Sequence, residues 1–158
     1  MSKEKADKSI KTSLYLVSLL YESKAILNKD LLEEYKKKIK RISIRRHISE
    51  IKSIVKINQE AVNIDEELKE NVPDEILYSV ILRLRELYLI ECLRKNKNPA
   101  NSEFLNLIKK FASEEAYNAY LRIKNDLKSK KVVSVKETRS LLNEMKKRIK
   151  ELEHGKEN

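Results

Sequence analysis

The chain has 158 residues, with 35 Lys plus Arg against 25 Asp plus Glu, giving a formal net charge of +10 in what is the size of one domain. A single glycine, Gly155, excludes a Walker loop, a Rossmann fingerprint and a nucleophile elbow, because each needs glycine where backbone turns sharply or approaches phosphate. Two prolines, one cysteine and no tryptophan among abundant Leu, Ile, Lys and Glu predict an all-α, single-domain helical bundle of about six helices, without an internal disulfide.

Residues 1–8 are a charged lead-in, expected to fray like residues 154–158. Ile10, Leu14, Val17, Leu20, Tyr21 and Leu27 recur at three- and four-residue spacing and predict a first helix over 9–28. No small-residue cleavage site accompanies this run, so a cytoplasmic protein is expected. Asp30 with Glu33 resembles a capping box opening a second helix. That helix changes phase. Leu31, Leu32, Tyr35, Ile39 and Ile42 share one face, whereas Ile44, Ile48, Ile51 and Val55 share another about 180° away. Either its two ends are buried on opposite sides or the chain breaks near Ser43, which would cap the second piece.

From Glu60 to Glu75 the charge reverses, with seven acidic residues and one Lys69, read as a short helix or loop leading to Pro73. Pro73 suits the first turn of a helix, and Asp74 and Glu75 suit its positive N-terminal end. The stretch 73–97 that follows is the predicted central helix. It is apolar on nearly all sides from Ile76 to Leu93, which demands neighbours on several faces, while four charges bar it from spanning a membrane. Cys92, within it, reads as a small buried hydrophobe. Arg83, Arg85, Glu86 and Glu91 are expected to be paired or to reach the rim, with a pocket lining as the functional alternative.

Asn98-Pro99 stops this helix. Asn101 or Ser102 is expected to cap a helix to about Phe111, and Ser113 another to about Leu127, with Tyr117 and Tyr120 as core residues. Lys128 to Lys131 is a basic connector. Ser134-x-x-Glu137 is a full capping box, and Val135, Leu141, Leu142, Met145, Ile149 and Leu152 form the last stripe, closed by Gly155.

No metal-ligand spacing and no catalytic grouping can be identified, so no cofactor, metal or catalytic residue is predicted. The basic segment of the second helix is the best candidate for function: Lys36, Lys37, Lys38, Lys40, Arg41, Arg45, Arg46 and His47. If a new helix starts at Ser43, Arg45, Arg46 and His47 fall in its first turn. Cations are unfavourable there by about 0.3–1 kcal/mol each unless an anion joins them. Together with Lys128, Lys130 and Lys131, these residues predict a non-catalytic protein that binds nucleic acid, RNA or DNA, through its phosphates. The alternative is an assembly subunit holding a protein partner or a second copy through the stripe Leu141 to Leu152 or the acidic stretch 60–75. The Lys/Glu/Ile-rich composition also fits a thermophile.

The order LRLRELYLIECLRKNK, NSEFLNLIKKF, EEAYNAYLRIKND over residues 73–127 resembles the helical domains of the HEPN superfamily that accompany minimal nucleotidyltransferases. The resemblance implies a helical bundle that binds nucleotides or RNA. Some members are ribonucleases with an Arg and a His several residues apart near the start of a late helix. The matching run here, Arg41 to His47 with Arg46 inside it, lies early in the chain. No nucleotidyltransferase signature is present, so that activity would belong to a partner chain.

Overall fold

The computed structural model describes residues 29–39 and 44–154, apart from the side chains of Leu32, Lys36, Lys38 and Ile39. The expected helix over 9–28, the residues Lys40, Arg41 and Ser43, and the stop at Gly155 lie outside the described residues. Among those described there are six helices: α1 Lys29–Ile39, α2 Ile44–Glu67, α3 Asp74–Arg94, α4 Asn101–Phe111, α5 Glu114–Lys124 and α6 Val135–His154. The class is all-α, as expected, and no helix among the described residues is long and apolar enough to cross a membrane.

The predicted central helix is α3. Leu77, Val80, Ile81, Leu84, Leu87 and Ile90 are all fully buried, and α3 packs against α2, α4, α5 and α6. An apolar perimeter forces this position, since each Leu or Ile moved out of water contributes about 1.5–3 kcal/mol. Pro73 sits one residue ahead of the helix as its N-cap, with extended backbone.

Helix α2 runs antiparallel to α6. Three polar bridges mark the seam, Lys52 to Glu153, Gln59 to Lys146 and Glu66 to Arg139, spaced seven residues apart on both helices, as a heptad-like seam requires. Beneath them Ile48, Ile51, Val55 and Val62 of α2 meet Leu141, Leu142, Met145, Ile149 and Leu152 of α6 in one cluster. The last stripe of the sequence is therefore core, and the assembly surface expected from Leu141 to Leu152 is not available to a partner.

The acidic stretch departs from expectation as well. Residues 60–67 continue α2, because the inward positions Asn58, Val62 and Asp65 extend the buried stripe of Ile48, Ile51 and Val55. Asn58 donates from Nδ2 to Ser79 Oγ on α3 at 3.0 Å. Polar residues at those positions made the stripe look like solvent-facing sequence. Helix α1 begins at Lys29, which places Asp30 in its first turn and not at a cap.

With glycine absent from the interior, helices end on left-handed residues of other types: Lys69 (φ 55°), Asn96 (φ 50°) and Asp126 (φ 53°). Each is the pivot of a Schellman turn. Glu70 N–H donates to Asp65 O at 2.9 Å, Lys97 N–H to Cys92 O at 2.8 Å, and Leu127 N–H to Arg122 O at 2.8 Å. Asn and Asp tolerate this conformation, whereas Lys69 carries the Cβ penalty.

Cap chemistry is partly as predicted. Ser134 and Glu137 form the reciprocal box that opens α6: Glu137 N–H donates to Ser134 Oγ (3.3 Å) and Ser134 N–H to Glu137 Oε2 (3.2 Å). The start of α4 differs. Its N-cap is Ala100, without a side-chain cap bond, and the buried Tyr88 hydroxyl takes that place instead. That hydroxyl accepts from Ala100 N–H at 2.9 Å and lies 3.1 Å from Glu103 Oε2. Asn101, expected as a cap, instead accepts from Arg85 Nη2 at 3.1 Å. Ser113 is the N-cap of α5 by backbone position but makes no side-chain cap bond.

Candidate nucleic-acid interface

Antiparallel packing of α2 on α3 and α6 brings the first turns of α2 beside the last turns of the other two. There Arg45, Ser49 and Lys52 of α2, Arg94 of α3, and Glu153 and His154 of α6 line a cleft of about 660 Å³. Lys52 is held by Glu153 at 2.8 Å. Arg45 and Arg94 make no ion pair among the described residues, and α2 has no acidic residue in its first turn to offset Arg45. Two guanidinium groups and a helix N-terminus thus share one opening, with Ser49 and His154 as further hydrogen-bonding groups.

The other predicted residues fall elsewhere. Arg46 points along its own helix to Glu50 at 2.9 Å with both side chains exposed, and this bond holds the Glu50 carboxyl below its ordinary range. His47 is only 12 % exposed, with Nδ1 3.9 Å from Glu50. Lys36, Lys37 and Lys38 lie on α1, where Lys37 is exposed.

At the opposite end of the bundle the connector 128–133 is strapped onto the acidic stretch. Val72 N–H donates to Val133 O at 2.9 Å and Asp74 N–H to Lys130 O at 3.0 Å. Ser129 Oγ donates to Glu75 at 2.8 Å, and Lys131 Nζ pairs with Glu70. Asp74, fully buried, receives Arg122 Nε and Nη2 at 2.5 and 2.9 Å and Lys130 N–H at 3.0 Å. Arg122 also holds Glu115 at 2.6 Å; Asp74 first and Glu115 second keep the guanidinium firmly protonated. Lys128 and Lys130 keep exposed side chains, in a segment whose Lys130 N–H, Ser129 and Lys131 are held by Asp74, Glu75 and Glu70. Glu70, Asp74 and Glu75 are thereby occupied within the chain, whereas Glu60 and Glu67 stay exposed and make no ion pair among the described residues.

The charges of the central helix follow the structural reading. Arg83 pairs with Glu86 and Glu91 with Arg148 (2.6 Å), while Arg85 lies over the Phe104 ring at 5.7 Å. Tyr78, Tyr120 and Tyr117 stack on one another with centroids 5.3 and 5.8 Å apart, as core aromatics. Cys92 is buried, and burial pushes its thiol up from the ordinary range.

Sequence reasoning missed Arg94 and Lys52. Lys52 stands in no charge run, and Arg94-Lys95-Asn96-Lys97 reads only as the tail of the central helix. The signal that would have found them is the antiparallel pairing of α2 and α3, which sets position 94 beside position 45. Compared with family models, with curated proteins and with solved structures, the chain matches none.

Proposed function

We propose that this chain is a non-catalytic nucleic-acid-binding helical domain that holds phosphates of RNA or DNA in the cleft between the start of α2 and the ends of α3 and α6. The observation that carries the reading is the pairing of Arg45 with Arg94 at one opening, with neither charge neutralised among the described residues. Two forked guanidinium groups suit phosphodiester oxygens, and the exposed Lys37 on α1 adds to the positive charge of the chain. Lys128 and Lys130, in a mixed field, are secondary.

The ribonuclease alternative gains no support from His47, the end of the run that resembles a ribonuclease motif, since its Nδ1 lies 3.9 Å from Glu50 and it does not line the cleft. The test is fluorescence anisotropy of a labelled single-stranded RNA and a labelled DNA duplex titrated with the full chain at a series of salt concentrations. Affinity is expected to fall steeply as salt rises from about 50 to about 200 mM. Affinity indifferent to salt, or no binding to either probe at low salt, would overturn it.

A further inference from the structure

Helix α2 carries a second apolar stripe that the bundle leaves uncovered. Ile54, Ile57, Ala61, Ile64 and Leu68 follow one another at alternating three- and four-residue spacing, and Ile57, Ile64 and Leu68 are 67, 57 and 62 % exposed. Single exposed aliphatics need no explanation, but three in line along a heptad-spaced seam do. The same helix is divided in charge. Its first half carries Arg45, Arg46, Lys52 and Lys56 against Glu50, and its second half carries Glu60, Asp65, Glu66 and Glu67 with no cation; Arg46, Lys52 and Glu66 are paired within the chain and Asp65 is buried, which leaves Arg45 and Lys56 in one half and Glu60 and Glu67 in the other without an ion pair among the described residues.

We propose that this face pairs with α2 of a second copy of the chain, antiparallel, across a two-fold axis at Ala61. A helix with a basic half and an acidic half is complementary to itself when reversed. With the axis at Ala61, Ile57 lies against Ile64 of the second copy and Ile54 against Leu68, while the small Ala61 lets the helices approach closely at the centre. Lys56 then falls beside Glu67 of the second copy, twice by symmetry. Lys56 and Glu67 make no ion pair within the chain among the described residues. One contact of this register is unfavourable, since Glu60 lies near its own copy. The stripe spans about 21 Å of helix, which makes a small interface and a concentration-dependent dimer. The proposal is independent of the anion-binding reading, because it is read without nucleic acid.

The experiment is sedimentation velocity of the full chain over a concentration series. The wild type is expected to pass from monomer to dimer, and Ile57→Glu, at an exposed position, to stay monomeric with unchanged helical circular dichroism. Lys56→Glu and Glu67→Lys are each expected to weaken the dimer several-fold, their combination to restore it, and Glu60→Gln to tighten it. A monomer at every concentration would overturn the proposal and leave residues 9–28 or another protein as the occupant of the stripe. A dimer indifferent to Ile57→Glu, or one that the charge-swap pair weakens further, would overturn it as well.

Discussion

The two ends of the bundle use their cations in opposite ways. Where α2 ends and α3 begins, Arg122, Lys131 and the backbone of Lys130 are engaged by Asp74, Glu70 and Glu115. Where α2 begins and α3 and α6 end, Arg45 and Arg94 face a cleft without an ion pair among the described residues. Net charge therefore says little about where a polyanion would bind. What matters is which cations the fold has not already neutralised.

The comparison breaks most sharply at Asp74. Arg122→Ala leaves a fully buried carboxylate without its bidentate partner, and a loss of about 3–5 kcal/mol is expected in denaturant unfolding. The equivalent change in the cleft, Arg94→Ala, is expected to change stability by less than about 0.5 kcal/mol, because nothing depends on that charge for pairing. Similar losses from the two substitutions would remove the distinction between the ends.

A smaller effect is expected at the start of α6. Burial pushes the Glu137 carboxyl upward, yet the bonds from Ser113 and Ser134 outweigh it and hold it below the ordinary value of 4.5. A carboxylate depressed in the folded state stabilises above its unfolded value and loses that contribution as pH falls through the folded value. Glu137→Ala should accordingly cost about 1–2 kcal/mol at pH 7 and progressively less below about pH 4.5, seen by thermal unfolding at several pH values. A cost independent of pH would assign the loss to packing.

The smallest effect concerns Lys69, whose left-handed backbone (φ 55°) closes α2 inside the acidic end. Lys69→Gly is expected to stabilise by about 0.5–1 kcal/mol after relief of the Cβ clash, less the added freedom of the unfolded chain. Its side chain bridges no acidic residue among the described residues, so the gain should persist at high salt; a salt-dependent change would mean that the lost charge dominates.

Much of the fold was legible because it is local. An all-round apolar run specified α3, and Ser134-x-x-Glu137 specified how α6 starts, since both signals lie within a few residues. The continuation of α2 through the acidic stretch was not legible, because Asn58 and Asp65 occupy inward positions and disguise the stripe as surface. The cap of α4 misled for a related reason: Tyr88 supplies a hydroxyl from another helix, which no local pattern reveals. The candidate site divides likewise. Arg45 stood out for sitting in a helix's first turn, whereas Arg94 acquires meaning only from the packing of α3 beside α2, and the role of Lys131 only from Glu70, far away in sequence.

The most direct test of the difference between the ends compares two double variants in RNA-binding titrations across salt, Arg45→Ala/Arg94→Ala against Lys128→Ala/Lys130→Ala. The arginine pair is expected to weaken binding and to lower the slope of log affinity against log salt by about 2, one for each phosphate no longer held by a guanidinium. The lysine pair, in a segment held by Glu70, Asp74 and Glu75, is expected to leave affinity within roughly twofold of the parent and the slope nearly unchanged. Weaker binding in the lysine variant, with the arginine variant behaving as the parent, would contradict the assignment of the cleft.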